Sequence, residues 1–193
     1  MVITPSDIVI INITEEQRQR AESRAELKKN WTDTREIRNT TQRRYDFLMG
    51  QISEEAFKSL LGQNGKWCEY YDDVRTDNFE QADNQYDFLV KETAKQNNTE
   101  VGVKSSILLE KFLTLSSGNL VAYPYQVKEI NVQAFVKGEN GTLSNIVYLF
   151  GWATQQEVLS APIGKLNQKK GGGATHNLPV IRLRPFSELF AIL

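Results

Sequence analysis

Tyr86 to Ser106 reads YDFLVKETAKQNNTEVGVKSS, two short apolar runs on either side of a polar link. The first run, Tyr86-Asp87-Phe88-Leu89-Val90, places one acid among strand formers. The second, Glu100-Val101-Gly102-Val103-Lys104, alternates apolar and non-apolar positions, the pattern of a half-buried strand. The link from Glu92 to Thr99 has the asparagine and threonine content of a turn, so the stretch predicts a β-hairpin. Side chains two apart on a strand share a face. Val101 and Val103 are therefore expected in the core. Glu100, Gly102 and Lys104 are expected on the opposite face, near Asp87.

An acid on one strand and an acid with a lysine on the next suit metal-dependent cleavage of a phosphodiester. Magnesium takes hard oxygen ligands, keeps several waters and favours phosphate oxygens. The ion lowers the pKa of a bound water, and a nearby lysine can orient that water or offset charge on phosphorus. The plainer alternative is a hairpin in which Glu100 and Lys104 form a solvated pair worth at most ~1 kcal/mol. Asp87 would then only discourage edge-to-edge aggregation.

Outward from the hairpin, the chain reads as alternating helices and strands. Met1 to Ile13 is short and β-branched, with Ile8, Val9, Ile10, Ile11 and Ile13, and predicts an edge strand or an extended arm. Thr14-Glu15-Glu16 opens a helix running to about Lys29, with Ala21, Ala25 and Leu27 as its apolar stripe. Asn30 to Arg44 is rich in arginine, with Trp31 and Ile37 as anchors; residues 1–45 thus form an N-terminal strand or arm plus a basic helix. Tyr45 to Leu61 carries Phe47, Leu48, Ile52, Ala56, Phe57, Leu60 and Leu61 at helical spacing, and Gly62-Gln63-Asn64-Gly65 ends it. Trp67 to Asp83 is aromatic and acidic and leads into the first hairpin strand, with Asp83 a rival to Asp87.

Beyond Lys104, proline makes Tyr123-Pro124-Tyr125-Gln126 a break. Ile130 to Lys137 and Ile146 to Ala153 predict an antiparallel pair joined through Asn140-Gly141, which extends the hairpin into one mixed sheet. Thr154-Gln155-Gln156-Glu157 is a capping box. Asn167 to Asn177, with Lys169, Lys170 and three glycines, predicts a basic loop, followed by a closing strand from Leu178 to Arg184 and a terminal turn or helix that packs Phe186, Leu189 and Phe190. No internal repeat or linker divides the 193 residues, so a single domain is expected.

Composition narrows the chemistry. One cysteine, Cys68, excludes a disulfide framework and a multi-cysteine zinc site, and one histidine, His176, excludes catalysis by a histidine pair. With a formal net charge of −1, any contact with DNA must come from local patches. The start of the chain shows no signal pattern and no apolar run approaches a membrane span, so a cytoplasmic protein without membrane contact is expected.

These residues resemble the restriction-endonuclease-like superfamily, whose core motif is written PD-(D/E)xK. Asp87 stands where the family's first metal-binding acid stands. Lys104 matches its lysine, and Ser105-Ser106 match the small polar residues that often follow. Gly50 to Phe57 resembles the helix that precedes this core in many members, where a glutamate completes the metal site; Glu54 is the match. Val147 to Ala153 resembles the later strand that ends in Gly-Trp, so the likeness spans roughly Gly50 to the C-terminus. The resemblance implies an α/β fold in which a central mixed β-sheet is flanked by helices. It implies a DNA endonuclease using magnesium, or manganese in its place, with Asp87, Glu100 and Glu54 as metal ligands and Lys104 as the catalytic lysine. It would make Ser105, Ser106, Arg43, Arg44, Lys169 and Lys170 contacts to DNA, although a solvated face of ion pairs explains the arginines equally well. Members often pair as dimers.

The chain departs from the pattern at one point. The family's second acid lies two before the lysine, and that position is Gly102; Glu100 is one step further back on the same face. Two alternatives therefore stand beside the enzyme. One is a catalytically degenerate nuclease-fold protein that binds nucleic acid or a protein. The other is an interaction protein with no nucleic-acid role, in keeping with the near-zero charge.

Overall fold

The computed structural model describes residues 2–29, 39–77, 79, 86–91, 98–139, 142–165 and 174–193. Trp31, Ile37, Asp83, Lys169, Lys170 and the link 92–97 lie outside the described residues.

Two helices form first in the chain, and each start has a chemical cause. The β1 strand (Val9–Asn12) leads into α1 (Glu15–Lys28), where Thr14 accepts from the Gln17 amide and Gln17 reaches back to the Thr14 amide. Asn39 caps α2 (Thr40–Gln63) in the same way, through the Gln42 amide. The apolar face of α2 is Leu48, Ile52, Ala56, Phe57, Leu60 and Leu61, all buried at helical spacing as expected. The helix starts one turn earlier than its apolar pattern, because the cap and not the apolar stripe sets its first residue.

The buried stripe of α1 differs from expectation. Ala21 and Ala25 are buried, but Leu27 is 48% exposed, and Arg24 and Lys28 take its place. The spacing 21, 24, 25, 28 is itself helical. The face it points to is acidic, so two cations are buried there and a leucine would leave those acids unpaired.

Among the described residues, the principal sheet has six strands in the order β1-β7-β6-β4-β3-β2. Its members are β2 (Cys68–Tyr70), β3 (Phe88–Lys91), β4 (Asn98–Ile107), β6 (Ile130–Glu139) and β7 (Thr142–Thr154), besides β1. The expected hairpin is present: β3 and β4 are antiparallel, with Phe88 opposite Val101 and Lys91 opposite Asn98. Val101 and Val103 are buried. β4 and β6 run parallel, with Lys104 opposite Gln133, which makes the sheet mixed. A parallel pair needs a long crossover. Here residues 108–129 supply it and carry β5 (Asn119–Ala122) on the way.

β5 belongs to a second sheet of three strands, ordered β5-β9-β8, with β8 (Ile163–Lys165) and β9 (Ala174–Pro179). This corrects the expectation of a single sheet. It also corrects the C-terminal part: Ala174 to Asn177 lie in β9 and not in a loop, and the closing strand ends at Pro179. A 3-10 turn, Val180–Arg182, follows, and only Arg184 bridges back, to Trp152. Proline lacks the amide that would continue the ladder.

Two cores lie on the two faces of the large sheet. One joins α1, α2 and the terminal helix α5 (Phe186–Ile192) around Phe57, Phe88, Trp152 and Phe186. The other lies under the small sheet around Phe135, Phe150, Leu120 and Leu178. A bulge in β7 serves both. Gln133 pairs with Gly151 but Ala134 with Leu149, so Phe150 and Trp152 enter different cores. Gly151 is required there, since a Cβ would lie 2.5 Å from the Arg184 carbonyl oxygen. The capping box at Thr154 and Glu157 opens α4 (Gln155–Leu159) as expected. A short α3 (Tyr71–Val74) directly follows β2.

Candidate active site

β4 outruns its partner. β3 pairs with residues 98–101 of β4 and begins only at Phe88, so the edge of β4 beyond Val101 is open. Asp87 stands just before β3, not within it. Its amide donates to the Val101 carbonyl, and its carboxylate Oδ2 accepts from the Val103 amide at 2.6 Å. The acid thus takes the place of a ladder partner at the notch where the strand pairing stops.

That notch is a pocket of about 360 Å³. Asp87, Val103, Lys104 and Ser105 line it from the hairpin, Gly50, Gln51 and Glu54 from α2, Tyr70, Tyr71 and Asp72 from the end of β2 and start of α3, and Lys28 from α1. Val121 and Gln126 close it from the crossover. Three expected residues, Glu54, Asp87 and Lys104, therefore meet in one place, with Ser105 beside them.

Glu54 is held by its neighbours. Its Oε2 accepts from the Gln51 side-chain amide at 2.8 Å and lies 2.5 Å from the Tyr70 hydroxyl. Gln51 is one helical turn before Glu54, so the two share a face. The same amide also donates to Asp72 at 2.9 Å, and Asp72 accepts from Lys28 at 2.5 Å. Tyr70 Oη is also 3.0 Å from Gln51 Oε1. Its single proton has three acceptors within reach, the third being Asp72 at 3.4 Å, and Glu54 is the nearest of them.

The electrostatics follow from this enclosure. Burial, and then the charge of Asp87, push the Glu54 carboxyl up to about 8. Burial also raises Asp87, against the opposing pull of Lys104 and the Val103 amide. Lys104 is held below the usual lysine range by burial and by Lys128, with Asp87 working the other way. Tyr70 is pushed far up by burial and by Glu54, which keeps it a proton donor.

Other expected residues are not in the pocket. Glu100 is exposed and does not line it. It lies four positions before Lys104, about 13 Å along a strand, and its amide donates to the Glu129 carboxylate at 2.8 Å. Ser106 is exposed on β4. Arg43 and Arg44 lie in the first turn of α2, and Arg44 pairs with Glu26 at 2.9 Å. Sequence reasoning passed over Asp72, Tyr70, Gln51 and Lys28. Signals existed for two of them: Gln51 sits at i−3 from Glu54, and Lys28 continues the 21, 24, 25 stripe of α1. Nothing local marks Asp72 or Tyr70.

Behind the pocket is a set of ion pairs, partly buried and partly exposed. Glu55, fully buried, is gripped by Arg20 at 3.0 Å and Arg24 at 2.9 Å. Arg24 also pairs with Asp73 and lies over the Tyr70 ring, 4.7 Å from its centroid. Lys58 pairs with Asp73 at 2.6 Å, and Arg75 with Asp77 at 2.7 Å. These pairs lock α1, α2 and α3 together and fix the Tyr70 ring against the site.

The donor set suits a hard cation with a water-rich shell. Two carboxyl groups under mutual repulsion share one enclosed, polar pocket, and a cation would relieve both. Among the described residues, no group of three or more His, Cys, Asp or Glu side chains is assembled to hold a metal ion by itself. Among them, too, no helix is long and apolar enough to cross a membrane. Comparison with protein-family models, with characterised proteins and with solved structures finds no match to this chain.

Proposed function

We propose that this chain is a magnesium-dependent DNA endonuclease with a restriction-endonuclease-like core. One observation carries the reading: Glu54, Asp87 and Lys104, from a helix and the two arms of a hairpin, converge on one pocket. Glu54 and Asp87 would hold the magnesium, or manganese. Bound there, the ion would supply an acidified water and offset charge on the phosphate. Lys104 would donate a hydrogen bond to a phosphate oxygen or orient the attacking water. Tyr70 and Gln51 hold the Glu54 carboxylate in place, and the Val103 amide does the same for Asp87. Ser105 lines the same pocket and would contact the substrate backbone.

A second reading, a nuclease-fold protein that binds without cutting, has its own observation. At Gly102, where the motif has an acid, a Cβ would stand 3.0 Å from Lys128 Cγ, so a lysine stem covers the position.

The deciding experiment is cleavage of supercoiled and linear DNA with magnesium or manganese, wild type beside Asp87→Ala and Lys104→Ala. Cutting by wild type alone, with both variants folded, is the expected result. Cutting that persists in either variant removes this site from the reaction. No cutting by wild type with either metal favours the binding-only reading.

A further inference from the structure

We infer that Asp72 of α3, paired with Lys28 of α1, is a positioning residue for Glu54 and acts on it through the Gln51 amide. This rests on the metal-site reading above and adds to it two residues that the motif does not contain.

Gln51 stands between two acids. Its side-chain nitrogen donates to Glu54 Oε2 at 2.8 Å and to Asp72 Oδ2 at 2.9 Å. A primary amide nitrogen carries two protons, so one goes to each carboxylate. The amide oxygen faces the other way, 3.0 Å from the Tyr70 hydroxyl. Turned over, the same amide would set its oxygen against two carboxylates. Asp72 therefore fixes the direction in which Gln51 donates, and with it the place of the Glu54 oxygen that receives the bond.

Two cations hold Asp72 in turn. Lys28 Nζ donates to Oδ2 at 2.5 Å, and Arg75 Nη1 lies 3.4 Å from Oδ1. The Asp72 side chain is only 4% exposed, so its charge needs these partners. With Lys28 and Gln51 both on Oδ2, Asp72 serves as an anchor and not as a third ligand for the ion.

The Lys28–Asp72 pair also ties α1 to α3, but that tie exists without it. Arg20 and Arg24 join α1 to Glu55 on α2, and Arg24 joins it to Asp73 on α3. What separates the pairs is where they lead. Lys28, Gln51, Glu54 and Asp72 all line the pocket, whereas Arg20, Arg24, Glu55 and Asp73 do not. Since α1 lies before the segment that resembles the superfamily, this arm of the site is an addition to the motif. Residues that orient a metal ligand in this way carry about 10–100-fold in metal affinity.

The test counts manganese bound by the full chain, with free ion read by electron spin resonance. Wild type is compared with Gln51→Leu, with Lys28→Met/Asp72→Leu, and with all three changes together. Replacing the pair together leaves the net charge of the site unchanged, and Arg75 keeps Asp77. Melts establish that each variant is folded. Gln51→Leu and the pair variant should each bind manganese at least about tenfold more weakly than wild type. All three changes together should bind no more weakly than the weaker of the two, because both act through one amide. Wild-type affinity in the pair variant, or losses that multiply, overturns the inference. Should the pair variant not fold, Asp72→Asn takes its place with the same expected loss. Wild type that binds no manganese sinks the nuclease reading and this inference with it. Wild type that binds manganese and cuts DNA, beside a pair variant of unchanged affinity, sinks this inference alone and leaves the nuclease reading standing.

Discussion

Replacing Glu54 by glutamine removes the acid whose ionisation the fold resists most. The Glu54 carboxyl is pushed from an ordinary 4.5 to about 8, first by burial and then by Asp87. At about 1.4 kcal/mol per pH unit, that gap sets a ceiling of about 5 kcal/mol. The side chain keeps an opening to the pocket, and water there screens part of the cost, so ~2 kcal/mol is the expected effect. The sign follows from proton binding. Between pH 4.5 and 8 the folded state holds a proton that the unfolded state has released, so stability falls as pH rises through that window. Below it the cost is absent, and above it the cost is complete. Glutamine keeps the hydrogen bonds, because its amide oxygen can take the place of Oε2 opposite Gln51 and Tyr70. The assay is thermal melting of wild type and Glu54→Gln across pH 4.5 to 9 with a chelator present. At pH 9 the variant should melt about 4–8 °C higher, and the two curves should meet near pH 4.5. Magnesium at a hundred times its dissociation constant should return about 2.7 kcal/mol to wild type and much less to the variant. Equal melting at pH 9, or a gap that does not close in acid, would refute the account of Glu54 as a buried, strained carboxyl.

Three further outcomes follow from the same geometry. Tyr70→Phe removes the hydroxyl that serves Glu54 and Gln51, so it should cost about 1–3 kcal/mol in chemical denaturation and move the Glu54 transition to higher pH. Glu55→Ala removes the buried acid that Arg20 and Arg24 share, while Arg20 can turn to solvent and Arg24 keeps Asp73, so it should cost about 1–3 kcal/mol; wild-type stability in that variant would show the pairs to be idle. Gly151→Ala pushes a methyl to 2.5 Å from the Arg184 carbonyl oxygen and should cost about 2 kcal/mol or more, seen as a lowered denaturation midpoint.

Local pattern was enough to read the hairpin, α2, the β6–β7 pair and the caps at Thr14 and Thr154, because each is set by neighbours within a few residues. The second sheet was not legible in this way. Its strands are short, and β5 pairs with β9 across more than fifty residues, with Leu120 opposite Leu178. The stripe of α1 was misread for a related reason. An arginine or lysine at a core position makes sense only once Glu55, Asp72 and Asp73, from later elements, are known to face it. At the site, Asp87 and Lys104 were legible as strand neighbours, and Glu54 by likeness to a helix motif. Asp72 and Tyr70 were not, since their role depends on where β2 stops relative to α2.

Glu100 shows why spacing along a strand is the weaker guide to this site. It shares a face with Gly102 and Lys104, yet about 13 Å of strand separates it from the lysine. An acid at Gly102 would be near enough, but a Cβ there meets Lys128 Cγ at 3.0 Å and Lys104 Nζ at 3.6 Å. Negative charge beside Lys104 comes instead from Asp87 across the notch and from Glu54 on α2. A helix-borne carboxylate has an advantage that a strand-borne one at position 102 would lack. Gln51 one turn away and Tyr70 on the adjoining strand both bond to it, so its position is held from two sides. What the proposed chemistry would require is two carboxyl groups and a lysine at one point in space. Which backbone supplies each acid is decided by which neighbours can hold it there.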